Sequence, residues 1–473
     1  MADIDLLSID RGTVTAPAGC GKTQLIADSL KAHLDAKPVL ILTHTNAGKH
    51  ALEVRLKKAG VPKYAYRLAT IDSWSIRLIS KFPGRSGHRP EVLMLENPAT
   101  DYPAIRQAAW NLLASEDISD VVRSTYSHLI VDEYQDCSIP QHNIIGWIAH
   151  VLPTCVLGDP MQAIFDFREP TVDWAKDVHQ MFPPVGQLAI PWRWRNAGTE
   201  ALGNWLLDAR HLLLTGQAIN LLSAPAEVEW KQLPANANAA HELRLQAART
   251  QAAGGHATVL VIGDSKSPPG QRLMAANTPG ATTVEAVDLQ DLTAFGRSFD
   301  PKAPDALQRL VRFAAEMMTN LGAAELLRRV DSLTKGTAHK DASEAESAAL
   351  GFQTGPSFAS ASNAMQAFVD APNVHVYRPE TLHVCQTALL IAAKGECTFP
   401  QAVTQARERN RHLGRPAMRR AVGSTLLLKG LEADVAVVLN PSAMNARHLY
   451  VALTRGAKHL VVCSESPVLM PVP

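Results

Sequence analysis

The residues best equipped for chemistry in this chain lie between Ala16 and Thr23, where Ala-Pro-Ala-Gly-Cys-Gly-Lys-Thr joins a short apolar run to a helical pattern. Gly19 and Gly21 let the backbone curl so that amide N–H groups converge on anionic oxygens, and the helix beginning at Lys22 adds the positive potential of its N-terminus. Such a loop suits a nucleotide triphosphate. The candidate nucleotide set is Ala18, Gly19, Cys20, Gly21, Lys22, Thr23 and Gln24. Lys22 is long enough for the β and γ phosphates, and the Thr23 hydroxyl is a ligand for Mg²⁺. A second pair of groups follows at Leu129-Ile130-Val131-Asp132-Glu133-Tyr134-Gln135-Asp136, where an apolar run delivers two carboxylates to its tip. Asp132 is the candidate to hold Mg²⁺, and Glu133 to polarise a water for attack. A glycine-rich turn or a solvated strand end would explain either segment alone. Their succession favours ATP with Mg²⁺.

These groups need strands to carry them. Thr13–Thr15, Val39–Leu42, Leu129–Val131 and Cys155–Leu157 are short apolar runs ending at polar residues, the pattern of buried parallel strands with chemistry at their carboxyl ends. Lys22–Leu34 and Ala47–Lys58 between them have helical spacing. Thr258–Gly263, Val435–Leu439 and Leu460–Val462 predict a second parallel sheet. Asp305 to about Leu350 and Pro379 to about Arg411 are Ala-, Leu- and Arg-rich with helical period, joined through a Ser-, Ala-, Gly- and Thr-rich stretch at Thr334–Ser362. The predicted fold is α/β, with a helical insertion in the second of two α/β lobes. The boundaries are 1–185 for the first lobe (with a reduced insertion at about 75–125), 186–300 and 415–473 for the second, and 301–414 for the helical insertion.

Bulk properties narrow the class. At 473 residues and 46% hydrophobic, the chain can bury more than one core. A net charge of +1 argues against strong non-specific nucleic-acid binding through global charge, while leaving room for a local basic groove. No apolar stretch is long enough for a membrane span, and the acidic start at Met-Ala-Asp-Ile-Asp lacks a signal pattern. The six cysteines have no metal-ligand spacing, which suits reduced thiols and a cytoplasmic location.

With Asp-Glu-Tyr-Gln-Asp at residues 132–136, the chain resembles superfamily 1 helicases of the UvrD/Rep type, from near Gly12 to Val462. That resemblance implies two RecA-like P-loop lobes and gives further segments a role. Thr43-His44-Thr45-Asn46 is similar to a backbone-contacting motif, nominating Thr43, Thr45 and Asn46. Thr70-Ile71-Asp72-Ser73-Trp74 is similar to a strand-contacting motif, nominating Thr70, Ser73 and Trp74. In Gly158-Asp159-Pro160-Met161-Gln162, continuing to Phe165 and Phe167, Gln162 corresponds to the γ-phosphate sensor, and the two rings offer faces to any base. Pro191-Trp192-Arg193-Trp194-Arg195 resembles the motif whose arginine reaches the nucleotide. Arg193 fits its spacing better, with Arg195 as an alternative or a domain-interface ion pair. Ser424 to Asp434 contains Lys-Gly-Leu-Glu, so Glu432 corresponds to a sugar-contacting residue. Tyr450 to Arg455 resembles the arginine-finger motif, with Arg455 as the finger.

The resemblance implies an ATP- and Mg²⁺-dependent helicase or translocase moving 3′ to 5′ on single-stranded DNA, with ATP closing the lobes by bridging the phosphate loop to Arg193 and Arg455. There are departures. No Gln precedes Gln24, where the family has an adenine-reading Gln segment; Leu426 replaces an expected His; the spacer from Trp74 to Asp132 is short. The trimmed architecture also resembles the small helicase-like subunit of Gabija anti-phage systems, which works beside an OLD-family nuclease. That gives the alternative: a DNA-stimulated ATPase that binds DNA ends and regulates a partner nuclease in antiviral defence, with little unwinding alone. A P-loop kinase or GTPase has no use for the Gly-Asp-Pro-Met-Gln and arginine-finger segments. Asp288, Glu344 and Glu346 are scattered and form no nuclease constellation.

Overall fold

The computed structural model describes residues 4–472 apart from 32, 34, 36, 166–168, 252–256, 265 and 413–417. Leu34, the expected end of the first helix, and Phe167 therefore lie outside the described residues.

The first sheet has six strands: β1 (Arg11–Thr15), β2 (Val39–Thr43), β3 (Tyr66–Thr70), β4 (Leu129–Asp132), β5 (Thr154–Gly158) and β6 (Pro184–Gln187). Their spatial order is β3-β2-β4-β5-β1-β6, with parallel pairing throughout. Strand alternation divides the apolar residues between two cores. Leu40, Leu42, Leu129, Val131 and Val156 enter one, while Val39, Ile41, Ile130, Cys155 and Leu157 enter the other. Register then does the positioning. Thr43 pairs with both Thr70 and Asp132, and Thr15 pairs with Gly158, so the carboxyl ends of five strands align along one edge.

Helices begin where that edge ends. The helix α1 (Lys22–Lys31) follows the phosphate loop; α2 (Asn46–Lys58) is capped by Thr45 and α3 (Ile71–Lys81) by Thr70, each side chain accepting from the amide three residues on. A second six-stranded sheet runs, in spatial order, Thr282–Thr283, Arg420–Ser424, Val259–Gly263, Ala433–Val438, Gly456–Ser464 and Val228–Gln232. Its first three pairings are parallel. This is the doubly layered α/β architecture of two RecA-like lobes. Helices from Gln290–Ser298 to Phe399–His412 build a separate core, in which Phe295 stacks on Phe313 at 4.1 Å between ring centroids.

The chain divides into two compact units. One contains residues 1–228, 442–458 and 467–473; the other contains 229–441 and 459–466. Residues 186–228 and 442–458, expected with the second lobe, thus belong to the unit of the first sheet. All six cysteines are free. Among the described residues, no helix is long and apolar enough to cross a membrane.

Candidate nucleotide and strand-binding site

At the mouth of β1, Gly19 has φ +70° and Gly21 φ +87°, backbone conformations that glycine adopts without steric cost. Both positions are crowded as well. A Cβ on Gly19 would lie 2.5 Å from Cζ3 of Trp194, and one on Gly21 would lie 2.9 Å from Cδ1 of Trp192. The short helix Trp192–Ala197 therefore sits on the phosphate loop, and its Arg193 amide donates to the Gly19 carbonyl at 3.0 Å. The Ala18 amide donates to Tyr450 Oη at 3.0 Å. Cys20 is buried; desolvation, then the Asp159 charge, raises its thiol pKa to about 12, so it is inert filler in the loop.

Lys22 Nζ lies 2.8 Å from Asp132 Oδ1 and 2.5 Å from Glu133 Oε1. Burial works against the Lys22 charge, but the two carboxylates outweigh it and hold the ammonium above its ordinary pKa. Burial favours the neutral form of Asp132, an effect opposed by Lys22. The neighbouring Glu133 charge adds to the effect of burial, so the Asp132 carboxyl is held above its ordinary range. Glu133 has φ +56°, an uncommon conformation for a residue with a Cβ, and its side chain is one-third exposed. The Thr23 hydroxyl accepts from Arg55 Nη1 at 3.2 Å, and Gln24 turns outward to Asp28.

Behind these groups, β5 ends at Gly158 and Asp159. The Asp159 carboxylate, fully buried, accepts from Arg210 Nη2 at 2.7 Å and Nε at 3.1 Å, and from Gln162 Nε2 at 3.3 Å. Arg193 Nη1 donates to the Thr454 carbonyl at 2.6 Å. The next residue, Arg455, is buried, with Nε on the Val451 carbonyl at 2.8 Å. Arg195, in contrast, pairs with Glu200, five residues on, at 2.5 Å. Glu432 lies in the other compact unit, after Gly430 at φ +83°.

The strand-contacting candidates divide by burial. Asn46 and Ser73 are exposed, and Thr45 and Phe165 are partly so; the Phe165 ring is 6.1 Å from that of His44. Two expectations are corrected. Trp74 is 3% exposed and packs into the first-lobe core, so its ring serves packing and has no face for a base. Thr43 is 1% exposed at the end of a central strand, out of reach of a polymer backbone. Thr70 is buried and engaged as the cap of α3.

The loop, with its left-handed glycines and converging cation, fits a triphosphate. Thr23 and Asp132 fit Mg²⁺, which takes one or two protein oxygens beside phosphate oxygens. Motif reading missed Arg210, which has no sequence signature apart from its burial, and gave no individual role to Gln135 or Tyr450.

Residues 91–183 match the family model of the UvrD/REP helicase N-terminal domain. Over 73 residues the chain is 32% identical to an ATP-dependent helicase/nuclease protein of Syntrophomonas wolfei subsp. wolfei, which is 15% of this chain and 6% of that protein. The match thus spans a small part of the relative's length. Pif1 helicase from Candida albicans superposes with TM-score 0.31 and 14% identity, covering 58% of this chain and 52% of that one, a likeness too slight to bear on the fold. Over residues 91–183, which include the Asp-Glu-Tyr-Gln-Asp turn, the chain is thus similar to helicases of the UvrD/REP type.

Proposed function

We propose that this protein hydrolyses ATP with Mg²⁺ to move 3′ to 5′ along single-stranded DNA, as a helicase or translocase. The observation that carries the reading is the Lys22 ammonium held between Asp132 and Glu133 beneath a loop with left-handed glycines. Lys22 exchanges these carboxylates for the β and γ phosphates, since a triphosphate offers more charge. Glu133, relieved of that cation, accepts a proton from the attacking water. Thr23 and Asp132 would hold Mg²⁺, which when bound neutralises phosphate charge. Arg193 and Arg455 take the charge that develops on the transferred group, and Gln162 exchanges hydrogen-bond partners as the γ-phosphate leaves. Glu432 is assigned to the nucleotide sugar. Asn46, Thr45, Ser73 and Phe165 receive the strand.

ATPase rates with single-stranded DNA, duplex and RNA test the reading. Single-stranded DNA is expected to stimulate most, and Lys22→Ala to abolish turnover. Parental turnover by Lys22→Ala would remove the site assignment. The second reading is a DNA-end-responsive ATPase governing a partner nuclease in antiviral defence; the relative's name joins helicase to nuclease, which supports its nuclease part alone. Strand displacement with and without a co-expressed nuclease separates the two, because the second predicts none by this chain alone.

A further inference from the structure

Among its described contacts, the Glu133 carboxylate accepts from donors of two different kinds. Oε1 accepts from Lys22, and Oε2 accepts from Gln135 Nε2 at 2.5 Å. Lys22 is the cation that a triphosphate draws away; Gln135 is 1% exposed and stays in the interior. The other end of the Gln135 amide, Oε1, accepts the Asp159 backbone N–H at 3.1 Å. The orientation of that amide follows from its neighbours, because a carboxylate only accepts and a backbone N–H only donates. Asp159 is itself fixed by Arg210, and its carboxylate accepts from Gln162. Gly158 is required at the tip of β5, since a Cβ there would run into the Gln135 side chain and lie 2.9 Å from the Trp174 ring.

We propose that Gln135 is a positioning residue that keeps the Glu133 carboxylate aimed when Lys22 turns to the nucleotide, and ties it to the strand tip that presents Gln162. The proposal rests on the reading of this site as an ATPase. The left-handed backbone of Glu133 gives it a reason. A long, rotatable glutamate side chain on a bent turn, once it loses the Lys22 donor, has rotamers that point away from the reacting phosphate, and a misplacement of about 1 Å costs on the order of 100-fold in rate.

Two variants of the full chain test this against Lys22→Ala and the parent. Gln135→Met removes both hydrogen bonds. Gln135→Glu keeps an acceptor for the Asp159 amide but removes the donor to Glu133 and sets a like charge beside it. Both are expected to lower kcat for DNA-stimulated ATP hydrolysis by about 100-fold, with the affinity for a fluorescent ATP analogue within about threefold of the parent. A purely structural role would lower the amount of folded protein and leave kcat per bound nucleotide unchanged. A kcat within about threefold of the parent in Gln135→Met, or a loss matched by nucleotide affinity, overturns the proposal while leaving the ATPase reading intact. Should Gln135→Met fail to fold, Gln135→Glu decides by the same criteria. If the parent does not hydrolyse ATP, or Lys22→Ala equals it, both the reading and the proposal fall.

Discussion

Arg210 offers the sharpest test of how the site is braced. Its guanidinium is 7% exposed and the Asp159 carboxylate 0%, with two hydrogen bonds between them at 2.7 and 3.1 Å. Removing one member of a buried ion pair costs about 3–5 kcal/mol, because the other charge is left without compensation. Asp159 would retain the Met161 amide at 3.1 Å and the Gln162 side chain at 3.3 Å. Those remaining donors offset about 1 kcal/mol, so Arg210→Met is expected to destabilise its unit by about 2–4 kcal/mol. For a unit of this size that is a fall in Tm of about 5–15 °C. Tryptophan fluorescence is a selective probe: of the eight tryptophans, Trp230 alone lies outside the first unit, so the signal reports that unit's unfolding. A cycle with Asp159→Asn, which shortens no side chain, separates pair from packing. The double variant should be less destabilised than the sum of the singles by about 2 kcal/mol. A single variant within about 0.5 kcal/mol of the parent, or strict additivity, would refute the idea that this pair anchors the β5 tip.

Gly21→Ala should lower nucleotide affinity more than tenfold in a fluorescent-ATP titration, because a φ of +87° and the Trp192 ring at 2.9 Å oppose a Cβ together; the left-handed backbone alone costs about 1–2 kcal/mol. Trp74→Ala should cost about 3–5 kcal/mol in urea melts with strand affinity of the folded protein unchanged, while Phe165→Ala should leave stability alone and weaken single-stranded DNA binding by about 1–3 kcal/mol in fluorescence anisotropy.

Strand positions were readable because burial on both faces of a parallel sheet forces continuous apolar runs, and Val39–Leu42 and Leu129–Val131 have no other use for such composition. The glycine turn before Lys22 was equally plain, since Gly19 and Gly21 answer to backbone geometry that no other residue meets as easily. The allocation of segments to units was harder to read. Trp192 and Trp194 have the composition of a helix start, and nothing in their spacing says that they pack on Gly19 and Gly21 of a loop about 170 residues earlier. The same holds for Tyr450, whose hydroxyl reaches the Ala18 amide from a segment near the end of the chain.

Trp74 shows why a motif match is not yet a contact. A spacing of Thr-x-x-Ser-Trp fixes which residues follow the end of β3, but the helical period decides which of them face outward. Thr70 is consumed as a cap, Ser73 points to solvent, and Trp74, one position on, turns into the core. The polar chain from Glu133 through Gln135 and Asp159 to Arg210 was hidden for the opposite reason. Glu133 and Gln135 are near neighbours, but Asp159 and Arg210 come from distant segments, and only burial shows that each needs the next, since an unpaired carboxylate or guanidinium in that interior would be costly. Such a chain gives the Glu133 carboxylate a fixed reference in the sheet, independent of its ion pair with Lys22.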